Sequence, residues 1–134
     1  LGGVLKKGEA FSAHPRFDPG HHDRPRMVTF GVKTGPRSTI RLMEFATETD
    51  AAAGITAGDL LCERKDSFNG FAFLHDFALT PNYAVFFQNP VSFGPLPFVF
   101  GLKGAAECIS YDPKQSTRIV VIPRHGQGHS LATH

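Results

Sequence analysis

The chain has 134 residues, of which 41% are hydrophobic and 13 are Phe, so it has the length of one domain and ample material for a core. Its 14 Lys and Arg nearly balance 12 Asp and Glu, so the basic stripe typical of nucleic-acid-binding proteins is missing, and we expect no nucleic-acid partner. No apolar run reaches the length of a membrane span and no signal peptide is visible, although a chain that opens with Leu1 is expected to be a piece of a longer protein.

The N-terminal part predicts a short strand that ends at His14 and leads into a loop. Pro15 drives the residue before it into an extended conformation, and the Asp-Pro-Gly run at 18–20 is a turn signature. The loop continues through His21 and His22. Because adjacent side chains of an extended chain point in opposite directions, we predict that these two are solvated loop residues and not a chelating pair.

Three strands and a loop are predicted next. Residues 27–33 (MVTFGVK) have strand composition, and residues 39–46 (TIRLMEFA) alternate in a way that predicts one buried face. Residues 47–58 are small and polar, which indicates a surface loop. Residues 60–67 (LLCERKDS) predict a more exposed strand.

The most informative stretch is aromatic and contains one histidine. Residues 71–80 (FAFLHDFALT) and 83–90 (YAVFFQNP) flank a Thr-Pro-Asn turn signal, a pattern that predicts strand, tight turn, strand. In the first run, apolar side chains occupy both odd-numbered and even-numbered positions, so both faces of the predicted strand are expected to be buried. Only His75 and Asp76 interrupt it. A neutral imidazole in such a place needs either a hydrogen-bond partner, the commoner case, or a metal ion, and the residues alone leave both open.

The C-terminal part begins with an apolar segment rich in proline and glycine. Residues 91–104 (VSFGPLPFVFGLKG) predict an irregular loop, either tucked under the fold or exposed as an apolar patch. Residues 107–111 and 117–123 predict a hairpin about Asp112-Pro113-Lys114. The glycine-rich tail predicts a loop, not a zinc-binding helix, for three further histidines: His125, His129 and His134.

About seven short strands and almost no helix predict an all-β fold, which could be a sandwich, a barrel or a propeller. The two cysteines, Cys62 and Cys108, lie far apart in no motif. Two free thiols in a reducing compartment are the default, with one disulfide as the alternative. A phosphate-binding loop, a Ser/His/Asp set and a paired-carboxylate motif are all missing. Composition and spacing therefore leave the function open.

Four stretches carry a resemblance to a known family: residues 11–19 (FSAHPRFDP), 71–90 (FAFLHDFALTPNYAVFFQNP), 95–108 (PLPFVFGLKGAAEC) and 117–124 (TRIVVIPR). In this order they resemble the carotenoid cleavage oxygenase family, also called the retinal pigment epithelial membrane protein family. Within that family they are most similar to the apocarotenoid-cleaving branch that makes retinal. The resemblance implies a seven-bladed β-propeller with iron(II) on its axis, held by four histidines. Residues 1–134 would then be a fragment of a single propeller domain, with about two blades of antiparallel strands.

The resemblance also implies roles for particular residues. His14, in the SAHP motif, and His75, in the HDFAxT motif, match two of the four iron ligands. The other two ligands would lie outside this chain, since the tail histidines are not in matching motifs. Phe73, two residues before His75 on the same side of the strand, becomes a candidate for lining the substrate tunnel, with an ordinary core Phe as the alternative. Family glutamates hydrogen-bond to the ligand histidines, and four glutamates here match none of those motifs: Glu44, Glu48, Glu63 and Glu107.

The implied reaction is the cleavage of a conjugated double bond of a carotenoid or apocarotenal by dioxygen, which gives two carbonyl products of the retinal type. The alternatives are a related oxygenase acting on epoxycarotenoids or stilbenes, and a truncated fragment without catalysis. With two of four ligands, we expect the isolated 134 residues to be inactive and to need the rest of the propeller.

Family members also dip an apolar patch into the membrane to extract their substrates. The resemblance predicts that the segment after Gly94 makes this peripheral contact, with a buried loop as the alternative. The predicted contact residues are Leu96, Phe98, Val99 and Phe100. A cytoplasmic or plastid location would fit the resemblance.

Overall fold

The structure is a computed structural model that describes residues 4–20, 23–124 and the backbone of 131–133. Its described part contains eleven strands, one short α-helix and one 3₁₀-helix. The all-β prediction is therefore confirmed, although the strands are more numerous than the sequence predicted.

The first sheet has five antiparallel strands in the order β1-β3-β4-β5, with β2 also paired to β3. The alternation of Val28, Phe30 and Val32 directs three side chains of β3 to one face, where they meet β4 residues of the same kind. A short turn at 34–36 joins β3 to β4. The strands are β1 (Ala10–Phe11), β2 (Arg16–Asp18), β3 (Arg26–Lys33), β4 (Arg37–Ala46) and β5 (Leu60–Asn69).

The second sheet has four antiparallel strands in the order β11-β10-β7-β6, and a small two-stranded ribbon pairs β8 with β9. The short helix α1 begins at Pro95, where the missing N–H of proline costs nothing. The elements are β6 (Ala78–Leu79), β7 (Tyr83–Gln88), β8 (Val91–Phe93), α1 (Pro95–Val99), a 3₁₀-helix (Ala106–Cys108), β9 (Ile109–Tyr111), β10 (Arg118–Pro123) and β11 (Leu131–Thr133).

The core lies between the two sheets and is built around three phenylalanines. Phe30 of β3 meets Phe77 and Phe86 edge to face, with ring centroids 5.5 and 5.0 Å apart, and Phe77 stacks on Phe86 at 5.4 Å. All three side chains are buried. Because Phe77 follows His75 by two residues, its burial anchors the histidine-bearing segment to the core.

A buried charge cluster also joins the sheets. Arg124, directly after β10, pairs with Glu44 of β4 and Asp18 of β2, and it donates to the carbonyl oxygen of Thr80. Arg26 donates to the same Glu44 carboxylate. Buried charges need such compensation, so the cluster couples the positions of the two sheets.

The structure corrects the prediction for residues 71–80. Residues 71–77 form no strand, and only Ala78–Leu79 pairs, in β6. Phe73, His75 and Asp76 are exposed, whereas Ala72 and Phe77 are buried. The segment therefore has one buried side, so the prediction of two buried faces was wrong.

Three further predictions change in detail. Residues 107–111 and 117–123 do not form a hairpin, because β9 pairs with β8 and β10 pairs with β7 and β11. Part of the predicted irregular loop is helix α1. The predicted half-buried strand β4 is buried on both faces, because Arg41 on its second face is covered by Val4 and Glu9.

Other predictions hold. Strands β3, β4 and β5 lie where the sequence predicted them, and the loop at 47–58 is mostly exposed. Cys62 and Cys108 are free thiols. The loop histidines at 21 and 22 and the tail histidines at 125, 129 and 134 fall outside the described residues.

Candidate metal centre

His14 and His75 lie side by side although 61 positions separate them in the chain. Their Nε2 atoms are 2.9 Å apart, their ring centroids are 4.6 Å apart, and the ring planes are inclined by 59°. Both residues are exposed. The structure thus brings together the two residues that the sequence analysis selected as ligands.

The separation of the two nitrogens fits a shared metal ion. Two imidazole nitrogens bound at about 2.1 Å and at right angles to each other lie about 3.0 Å apart. Neutral imidazole is a common ligand of iron, zinc, copper and nickel. The same 2.9 Å also fits a hydrogen bond in which one Nε2 carries the proton and the other accepts it. The donor set and the spacing are therefore suitable for a metal, and the tautomers of the free protein would be those of a hydrogen-bonded pair.

An ion pair joins the two histidine-bearing segments beside the rings. Arg16 of β2 donates from Nη2 to Oδ2 of Asp76 at 2.7 Å. The other oxygen, Oδ1, accepts from the N–H of Phe77 at 2.8 Å. The Phe77 N–H, helped by the charge of Arg16, lowers the pKa of Asp76 below its ordinary value. Asp76 is therefore a carboxylate that holds its own segment and β2 together.

The pair does not form a complete metal site within the described residues. In residues 4–20 and 23–124 there is no group of three or more His, Cys, Asp or Glu side chains that could hold a metal ion. Two of the four glutamates named in the sequence analysis are engaged elsewhere: Glu44 binds Arg26 and Arg124, and Glu63 binds Arg41 and Lys65. Further ligands would have to come from other parts of the protein.

Phe73 is 60% exposed, and His75, two residues later, is exposed as well. Within the described residues, Phe73 is therefore not part of the buried core. Nearby, Phe71 stacks on Phe93 of β8 with centroids 5.7 Å apart, and Phe93 contacts Phe98 of α1 at 6.4 Å. Aromatic rings therefore connect helix α1 to the start of the histidine-bearing segment.

Helix α1 and the residue after it carry the predicted patch. None of the five α1 residues is buried, and the exposed fractions of Leu96, Val99 and Phe100 are 67%, 70% and 71%. Phe98 is 50% exposed. The patch is thus exposed rather than tucked under the fold. No helix in the described part of the chain is long and apolar enough to cross a membrane.

Two features of the site were missed from the sequence. Ser12 contacts the backbone of both histidines, and Arg16 pairs with Asp76. A Ser two residues before a His is a weak signal for a side-chain-to-backbone turn, which could have indicated the first. The second had no local signal, since its partners are 60 positions apart.

The described part of the chain is an antiparallel all-β fold in which two imidazoles distant in sequence meet, and the solved structures that match it are propeller enzymes, of which it corresponds to a portion. Residues 1–133 match the family described as retinal pigment epithelial membrane protein. The chain belongs to this family.

Known proteins agree with this assignment. The chain is 43% identical over 129 residues to apocarotenoid-15,15'-oxygenase of Synechocystis sp., covering 94% of this chain and 24% of that protein. It is 31% identical over 121 residues to carotenoid 9,10(9',10')-cleavage dioxygenase 1 of Phaseolus vulgaris, covering 90% of this chain and 19% of that protein. The structure of the cobalt-substituted Synechocystis apocarotenoid oxygenase superposes with a TM-score of 0.84 at 41% identity, covering 98% of this chain and 26% of that one. The chain thus spans about a quarter or less of the length of these relatives.

Proposed function

We propose that the protein containing this chain is a non-haem iron(II) dioxygenase that cleaves a conjugated double bond of a carotenoid or apocarotenal. The products would be two carbonyl compounds, retinal-type apocarotenoids among them. The observation that carries the proposal is the 2.9 Å separation of the Nε2 atoms of His14 and His75. The names of the relatives support the substrate class, and cobalt substitution in one of them supports a metal centre.

In this proposal His14 and His75 supply two of the iron ligands, and the remaining ligands come from parts of the protein beyond the described residues. Bound iron(II) would supply the activation of dioxygen. Because both ligands are neutral, they leave the charge of the ion uncompensated, and neutral nitrogen donors suit iron(II). The ion pair between Arg16 and Asp76 keeps the two segments together beside the rings.

We assign the wall of the substrate site to Phe73. Phe73 is exposed two residues before His75, and an apolar polyene requires a site lined mainly by apolar and aromatic side chains. The faces of aromatic rings beside the substrate can also stabilise a cationic intermediate formed from it.

We also propose that the patch formed by Leu96, Phe98, Val99 and Phe100 makes a peripheral contact with the membrane. A cluster of large exposed apolar side chains is typical of a surface that meets another apolar phase. Carotenoids dissolve in that phase and not in water, so the contact would give the protein access to its substrate.

Residues 1–134 would be part of one propeller domain, and we expect them to be inactive alone. Two imidazoles leave an octahedral ion mostly open to water, and unpaired strand edges need the rest of the ring. Two other functions remain alternatives: an oxygenase of the same family that acts on epoxycarotenoids or stilbenes, and a fragment without catalysis.

The test uses the full-length protein purified without oxygen. Iron content, affinity for iron(II) and products from carotenoid, apocarotenal, epoxycarotenoid and stilbene substrates are measured for the wild type and for His14→Ala and His75→Ala. We expect each substitution to abolish both iron retention and cleavage. Full iron retention in both variants would refute the proposed metal site. Cleavage of stilbenes alone would refute the proposed substrate class.

A further inference from the structure

One buried side chain contacts the backbone of both exposed histidines. Ser12 is 8% exposed, and its N–H donates to the carbonyl oxygen of Phe30 in β3 at 2.9 Å. Its Oγ accepts a hydrogen bond from the N–H of His14 at 3.1 Å. The same Oγ lies 3.5 Å from the carbonyl oxygen of His75, with the hydroxyl as donor, a contact longer than an ordinary O–H···O hydrogen bond. Ser12 is therefore anchored on the core sheet and reaches both histidine-bearing segments.

We propose that Ser12 is a positioning residue, whose single hydroxyl joins the backbone of His14 to that of His75 and so sets the separation of the two imidazoles. This inference rests on the proposed metal site. A hydroxyl suits the task because it accepts and donates at the same time, which neither alanine nor valine can do.

The need for such a residue follows from the local structure. Residues 71–77 form no strand, so no ladder of backbone hydrogen bonds fixes the position of His75 relative to His14. The ion pair between Arg16 and Asp76 also spans the gap, but its side chains are 48% and 43% exposed, and water weakens exposed pairs. The Ser12 side chain, on a residue that is 8% exposed, makes a link between the two segments that is better shielded from water.

The consequence concerns metal affinity. Ligands that are held in place before the ion arrives lose less freedom on binding, and removal of a group that orients ligands costs about 10–100-fold in affinity. Ser12→Ala should therefore weaken iron(II) binding without removing either ligand.

The experiment measures the affinity of the full-length apoprotein for iron(II), by anaerobic competition with a chelator. We expect Ser12→Ala and Ser12→Val to bind about 10–100-fold more weakly than wild type, and Ser12→Thr to stay within about threefold. Threonine and valine have nearly the same shape, so their difference isolates the hydroxyl and remains informative if the alanine variant folds poorly. Equal affinities of the Thr and Val variants would overturn the proposal.

Ser38 provides a matched control. It is also buried, donates to the carbonyl oxygen of Gly70 at 2.7 Å, and accepts from the N–H of Gly35 at 3.4 Å. We expect Ser38→Ala to lower the thermal midpoint while iron(II) affinity stays within about threefold. A loss of affinity as large as that of Ser12→Ala would mean that any buried serine has this effect, and the proposal would be wrong.

The histidine variants separate this inference from the proposed function. If His14→Ala and His75→Ala keep wild-type affinity for iron(II), the metal site itself is wrong. If they lose it while Ser12→Val binds as tightly as Ser12→Thr, the metal site stands and only the role of Ser12 is wrong.

Discussion

Arg124 donates hydrogen bonds from Nε and Nη2 to the two carboxylate oxygens of Glu44, at 2.9 and 3.0 Å, and so connects the end of β10 to the C-terminal part of β4. Both side chains are 1% exposed. Removal of one partner from a buried ion pair leaves an uncompensated charge, which costs about 3–5 kcal/mol.

We therefore expect Arg124→Ala to lower the free energy of unfolding of the full-length protein by about 3–5 kcal/mol, because Glu44 and Asp18 lose their shared partner. The measurement is the thermal midpoint by calorimetry. Lys65→Ala is the control, since its pair with Glu63 is exposed and exposed pairs contribute little to stability. Equal shifts for the two variants would contradict the prediction.

The second prediction concerns acid sensitivity. The hydrogen bond from Arg41 lowers the pKa of Glu9 in the folded protein, against the opposing effect of burial. A carboxyl group whose folded pKa is lowered contributes stability above its unfolded pKa of about 4.3, and that stability is lost as the pH falls through the folded pKa. Glu9→Gln should therefore lower the thermal midpoint at pH 7, and its difference from wild type should shrink as the pH falls below about 4.5.

The measurement for Glu9 is the thermal midpoint of wild type and variant between neutral and acidic pH. Glu48→Gln, at an exposed position, is the control. A difference between wild type and Glu9→Gln that is the same at every pH would show that the Glu9 charge is not responsible.

The third prediction separates two phenylalanines of the same segment that differ in exposure. Phe73 is 60% exposed, whereas Phe77 is 3% exposed and stacks on Phe86. Phe73→Ala should change turnover or the position of cleavage with little effect on stability. Phe77→Ala should instead destabilise the protein by about 3–5 kcal/mol, because it opens a cavity in the core. Steady-state kinetics, product analysis and thermal midpoints distinguish the two, and unchanged kinetics in the Phe73 variant would rule out its role in the substrate site.

The fourth prediction addresses the patch on helix α1. The double substitution Phe98→Asp, Phe100→Asp should abolish most binding of the full-length protein to liposomes, because it places two charges in the apolar patch. Flotation measures the bound fraction. Ala51→Asp, Ala52→Asp adds the same charge on the exposed loop at 47–58 and should leave binding largely intact. Undiminished binding of the Phe98 and Phe100 variant would count against membrane insertion.

Local patterns in the sequence predicted the parts of the fold in which side chains repeat with a simple period. Strands β3 and β4 have such alternation, and the small polar residues at 47–58 left no apolar anchor, so the loop was also predictable. The pattern gave a wrong prediction at residues 71–77, where apolar side chains at odd-numbered and even-numbered positions indicated a strand buried on both faces. There the segment runs along the edge of the core and buries Ala72 and Phe77 while Phe73 remains exposed.

The sequence by itself determined which residues could form the site, since His75 interrupts an apolar run and His14 precedes a proline in a motif of the family. Only the tertiary structure decided that the two meet. The two segments that carry them are joined by contacts of Ser12 and by the pair between Arg16 and Asp76, and Phe77 packs in the core. The physical reason is that all of these contacts join residues distant in the chain, and such contacts form only when both sheets are packed.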